Sequence, residues 1–179
     1  GTVIRPGNTE PENYIILRLL DAMPASEAFP WLSDFVVAGH MGVRLKAASS
    51  LCNRGWSPQG RQRLKIGETL SETIHVMARL IAMQTEVSRS RHFLLSAALE
   101  QERENNYELI RCLVHLLAGG VAAELILPRK RDDRPCQAGV ASEAIESVIS
   151  EPMRRPLKAL LGNSTDNRRL AELSLYFPV

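Results

Sequence analysis

Aromatic residues are scarce in this 179-residue chain, where Phe, Trp and Tyr together make up 5%. Sheet proteins lean on aromatic and β-branched side chains, and no stretch here alternates apolar and polar residues long enough to form a half-buried strand. Cysteine is also sparse. Cys52, Cys112 and Cys136 are odd in number and far apart, which fits reduced thiols in a reducing compartment and provides no disulfide framework. The four histidines, His40, His75, His92 and His115, never stand at His-x3-His spacing, and no Cys-x2-Cys occurs. A zinc site usually needs such a pair to bring two ligands onto one face, so no metal is expected. Gly-x-Ser-x-Gly, Gly-x-Gly-x-x-Gly and Gly-Lys-Ser/Thr contexts are missing as well, which argues against a nucleophile elbow and against nucleotide-cradling loops. No cofactor, no catalytic residue and no enzymatic activity are expected.

Long apolar runs are absent too. None reaches the ~20 residues that span a bilayer, and no signal-peptide pattern opens the chain. The first residue is Gly rather than Met, which makes an excised piece of a larger protein the expectation. Net charge is only +2, so nothing in the overall balance demands a polyanionic partner.

What is present is a chain 45% hydrophobic and rich in Leu and Ala, the composition of helices packed through aliphatic side chains. Residues 1–8 read as a linker and 9–179 as one helical domain. Thr9-Glu-Pro-Glu12 has capping-box spacing and opens a helix running to about Met23, with Ile15, Leu19, Ala22 and Met23 on one face. Pro24 ends it. Pro30 is expected to start a second helix, closed by Gly39. A third spans about Met41 to Asn53. Residues 54–66, with two Gly and a Pro, read as the longest ordered loop. Thr69-x-x-Glu72 is a second capping box, opening a helix over about 69–87 with Leu70, Ile74, Met77, Ala78 and Ile81 on one face. A long helix covers about 91–118, with apolar ends (Phe93, Leu94, Ala97, Ala98; Leu109, Ile110, Leu113, Leu117). Its middle is polar and is expected to face solvent or to break near Asn105. The carboxylates Glu100, Glu102, Glu104 and Glu108 lie in that middle and read as a solvated surface. Gly119-Gly120 stops the helix. A short helix over 121–127, a charged loop over 128–135 and a last helix from Ser164 to about Leu175 complete the pattern.

The least ordinary feature is basic. Between Gly39 and Gly67 the chain holds Arg44, Lys46, Arg54, Arg61, Arg63 and Lys65, no acid, and Trp56. Cations around an aromatic side chain are a candidate site for an anion, a phosphate or an acidic partner; the same composition also describes a plain solvated loop.

Two distant segments echo each other. Ile16–Met23 with Pro30–Val37 aligns without a gap on Ser142–Ile149 with Pro156–Leu161. Leu19 falls on Ile145, Met23 on Ile149, Pro30 on Pro156, Trp31 on Leu157 and Phe35 on Leu161. Such an echo is expected of stacked helix pairs. The pairs resemble HEAT repeats. The run from Arg61 to Leu161 is similar to the soluble HEAT-repeat region of bacterial transporter-like proteins related to ATP/ADP translocases. The similarity lies in Ser71–Ile81, Leu99–Leu117, Ala141–Ile149 and Pro152–Leu161. It implies an all-α fold: an irregular right-handed stack of antiparallel helix pairs, a HEAT/armadillo-like α-solenoid, with one long helix near 91–118. It also implies a non-catalytic interaction or regulatory module, cytoplasmic and tethered to the inner membrane through its parent. The expected partner is a protein or the parent's other domains, with self-association possible. The alternative is a phosphate- or nucleic-acid-binding helical module using residues 44–65.

Overall fold

The computed structural model describes residues 10–90, 93–120, 126, 138–151, 153–161 and 164–177. The expected linker at 1–8, the helix at 121–127 (Ile126 apart) and the charged loop at 128–135 lie outside the described residues. Among the described residues the regular structure consists of helices, with no strand. They are α1 (Glu10–Ala22), α2 (Ala25–Ala38), α3 (Met41–Asn53), α4 (Gly60–Ser90), α5 (Phe93–Ala118), α6 (Ala138–Val148), α7 (Arg154–Leu161) and α8 (Asp166–Leu173).

The long α4–α5 hairpin is the axis of the molecule. The two helices pack along each other antiparallel, Gln84 meeting Ser96 at one end and Arg63 meeting Leu117 at the other. α1, α2 and α3 pack together, with α2 resting on α4 and α3 on α5. α7 and α8 also rest on α4, and α6 packs on α7. One core runs through both groups, from Leu17 and Leu32 through Leu51, Leu70, Ile74 and Leu113 to Leu157 and Leu173. Packing of these apolar faces, more than intrinsic propensity, holds such helices in place.

The α4 stripe is as its spacing predicts: Leu70, Ile74, Met77, Ala78 and Ile81 are all buried. Four expectations need correction. First, the 54–66 loop is shorter, because α4 begins at Gly60. Gln, Leu, Lys and Arg between the glycines are good helix formers, and Ile66 extends the buried stripe by another turn. Thr69 is therefore a buried interior residue whose carbonyl accepts from the Thr73 hydroxyl at 2.7 Å, not a cap. Second, α2 starts at Ala25, after Pro24, and Pro30 sits inside it. Ser26 and Pro30 are both exposed, so water can take the carbonyl that the proline ring leaves without an N–H partner.

Third, α1 buries Asn13, Leu17 and Leu20, while Ile15, Leu19 and Ala22 face outward. Apolar residues occupy both sides of this helix, so periodicity alone selects no face. Fourth, α5 does not break: its polar middle faces solvent at Glu100, Gln101, Glu102 and Glu104, as one of the two expectations had it, while Asn106 is buried with its amide donating to the Glu102 carbonyl at 2.8 Å. The apolar start of α5 is exposed instead: Phe93, Leu94, Ala97 and Ala98 face solvent. At the C-terminal end, α8 closes at Leu173 and a turn carries the chain to Phe177, whose ring stacks on His75 at 5.1 Å.

Candidate interaction surface

The basic stretch is best understood through the ends of helices. The last four carbonyls of a helix lack intrahelical partners, and a cation there also meets the negative end of the helix dipole. Three guanidiniums of the stretch go to such ends. Arg44 donates from Nε to the Val36 carbonyl in the last turn of α2 at 2.9 Å, and reaches Thr73 Oγ1 of α4 at 3.4 Å. Burial pushes the Arg44 guanidinium below its usual pKa, and the charge of Glu72 pulls it back up. Arg54 closes α1, donating to the carbonyls of Leu20 at 3.1 Å and Met23 at 2.6 Å. Its guanidinium also lies over the Phe29 ring, 5.5 Å from the centroid. Arg63 donates to the Leu117 carbonyl at the end of α5 at 2.8 Å.

The other members divide differently. Trp56 is half-buried against the core, its ring tilted 50° to Phe29 at 6.2 Å. Its backbone N–H donates to the Leu51 carbonyl just after α3. Lys46 meets Asp21 at 3.8 Å and Lys65 meets Asp34 at 4.0 Å, both as solvated pairs. Arg61 and Lys65, one turn apart on α4, line a single cleft of about 250 Å³ against Pro30, Ser33, Asp34 and Val37 of α2. Arg63 stands two residues from each, about 200° round the helix, and faces another region. The structure thus brings Arg61 and Lys65 together, and places Arg44, Arg54 and Arg63 at three different helix ends.

On the Arg63 side lies a larger groove of about 610 Å³, within the range of small-ligand and peptide sites. One wall is the first three turns of α4, with Leu64, Gly67 and Glu68. The other is the α6–α7 turn, with Val148, Ile149, Glu151 and Met153, and Leu117 closes the end. Leu64 is 69% exposed on the rim. Leu64 falls in the stretch whose Gly and Pro content predicts a loop, which hides this groove in the sequence. The signal that marks it is the helical spacing of Leu64 with Glu68 and Ser71 once α4 is started at Gly60.

The remaining polar groups have local roles. Arg111 binds Glu108 on α5, and that hydrogen bond raises the guanidinium pKa against the effect of burial. The Cys52 thiol donates to the Cys112 carbonyl at 3.4 Å. Hydrogen bonding with Cys112, and then burial, push the Cys52 pKa up, which keeps the thiol neutral and a weak nucleophile. Among the described residues no three His, Cys, Asp or Glu side chains gather as a metal set, and no helix is long and apolar enough to cross a membrane.

Fold and surface together define a class: an all-α protein built around one long helical hairpin, with two clefts on opposite sides of the first turns of α4. Compared with protein-family models, curated proteins and solved structures, the chain matches none.

Proposed function

We propose that this chain is a non-catalytic helical interaction module of a larger protein, acting on the cytoplasmic side, and that it binds a protein segment in the groove between α4 and the α6–α7 turn. The observation that carries this reading is the groove itself: about 610 Å³, mainly apolar, with Leu64 exposed on its rim. Of the ionisable groups that line it, Arg63 closes α5 and Glu151 pairs with Arg155. The antiparallel α4–α5 pair and the short α7–α8 pair support a HEAT-like stacking of helix pairs, irregular because α4 touches α2 as well as α7 and α8. The test is capture of the other domains of the parent protein by the wild type and by Leu64→Asp. Loss of capture by a variant with unchanged circular dichroism supports the reading; equal capture by both argues against it.

A second reading, a phosphate-binding module, rests on Arg61 and Lys65 in the α2–α4 cleft. It predicts polyanion binding that falls steeply with salt and is removed by Arg61→Ala with Lys65→Ala. Binding insensitive to that pair of changes removes it.

A further inference from the structure

Gly67 stands inside α4, and nothing in the fold calls for a glycine there. Its φ is not positive, and a Cβ built on it would meet no atom within 4 Å. Glycine in a helix interior costs about 1 kcal/mol relative to alanine. The space that a side chain would fill belongs to the groove between α4 and the α6–α7 turn. Gly60, Leu64, Gly67 and Ser71 all line that groove. At 100° per residue they fall within an arc of about 60° on α4. One large apolar side chain, Leu64, therefore stands between small residues on a single stripe, facing Val148 and Met153 across the groove.

Such a stripe suits a helix. Gly67 and Ser71, one turn apart, let a second helix come nearer to α4 than the ordinary spacing of about 8–10 Å. An added strand would need unpaired backbone groups to bond with, and those of the α4 interior are already paired within the helix. From Gly60 to Ser71 the groove follows α4 for about 17 Å, or three turns. Charge then selects the kind of helix. The ionisable side chains on the walls are Arg63, Glu68 and Glu151. Arg63 is turned to the Leu117 carbonyl, at the negative end of α5. Glu68 is exposed and meets no cation among the described residues. Glu151 meets Arg155 at 4.0 Å with both groups solvated. The two carboxylates stand on opposite walls, so a helix laid between them has one on each flank.

We infer, resting on the reading of this groove as a protein-binding surface, that its occupant is a cationic amphipathic helix of a partner protein. Its apolar face lies over Leu64 and Gly67. Lys or Arg on its two flanks meet Glu68 and Glu151, the charge-complementary form of helix-in-groove recognition.

Fluorescence anisotropy with two labelled peptides tests this on the full chain. Each peptide has about 14 residues, or about 21 Å of helix, with the same leucine face. One carries Lys on its flanks and the other Glu. The Leu/Lys peptide is expected to bind, and the Leu/Glu peptide at least about tenfold more weakly, because like charges then face each other. Gly67→Leu fills the groove with a better helix former, so the fold keeps its thermal stability while Leu/Lys binding falls at least about tenfold. Glu68→Lys with Glu151→Lys, both exposed positions, reverses the preference between the peptides. Absence of Leu/Lys binding overturns the inference, as does equal binding of the two peptides or binding indifferent to Gly67→Leu. So does sedimentation velocity showing a wild-type dimer that Gly67→Leu dissociates, which assigns the groove to a second copy. If capture of the parent's domains depends on Leu64 but the Leu/Lys peptide does not bind, the groove reading stands and the cationic helix falls. If capture is indifferent to Leu64→Asp, the groove reading itself fails.

Discussion

The α1–α2 pair and the α6–α7 pair share an apolar pattern in sequence and use it differently. Leu19 of α1 is 62% exposed, whereas its counterpart Ile145 of α6 is 2% exposed. Trp31 of α2 is 38% exposed and its counterpart Leu157 of α7 is fully buried. The prolines part company too: Pro30 is the sixth residue of α2, and Pro156 the third of α7. In α7 the missing N–H belongs to the first turn, where it has no intrahelical partner to lose. In α2 it interrupts the ladder. The lesson is that an apolar period establishes a helix with an apolar face. When a helix has apolar residues on two sides, only its neighbours select the face that is buried.

The comparison can be broken most directly in the core. Ile145→Ala and Leu157→Ala should each cost about 2–5 kcal/mol in urea unfolding, while Leu19→Ala and Trp31→Ala should stay within about 1 kcal/mol. Equal losses at aligned positions would restore the two pairs as equivalent units. Next in size is the closing of the helices. Arg54 takes the Leu20 carbonyl of α1 and the Met23 carbonyl just beyond it, and Arg154 takes one, Ile149, just beyond α6. Arg54→Ala should therefore cost about 1–3 kcal/mol and Arg154→Ala about 0.5–1.5 kcal/mol. Faster amide exchange in the last turn of α1 would be its local signature.

The prolines sharpen the comparison by sign. Pro30→Ala should stabilise by about 1 kcal/mol, because alanine restores a backbone N–H within the helix. Pro156→Ala should destabilise by about 0.5–1 kcal/mol, because it trims a buried ring and loosens the unfolded chain. A common sign would mean that the two prolines do the same work after all. The smallest effect belongs to Glu146 on α6, whose pKa is held below the usual carboxylate range by its hydrogen bond from Lys158 and that residue's charge. A depressed folded-state pKa contributes stability above the unfolded value, and this is lost as pH falls through the folded one. Glu146→Gln should thus lower stability slightly at neutral pH and flatten the acid limb, the two proteins converging as pH falls below about 4.3 and through the folded-state pKa.

Much of the helical layout was legible because its signals are local. The bounds of α3, the Leu70–Ile81 stripe of α4 and the stop of α5 before Gly119 all follow from spacing and terminators within a few residues. The early start of α4 was not. Gly55, Pro58 and Gly60 read as loop markers, and the gain that outweighs the cost of starting the helix at Gly60 is burial of Ile66 against distant helices. The groove at Leu64 was hidden by the same error. The basic stretch was visible as composition, but composition does not say where a long side chain ends.

By itself the sequence determined that this protein is helical, where most helices run, and that Arg44, Lys46, Arg54, Arg61, Arg63 and Lys65 crowd one part of the chain without an acid among them. Tertiary structure alone decided which side of α1 is inside, and that Arg63 spends its charge on a carbonyl 54 residues away while Arg61 and Lys65 turn to a cleft on the other side of the same helix. The reason is physical. Helix formation is governed by neighbours within a turn or two, whereas burial and the satisfaction of helix ends depend on groups that only folding brings near.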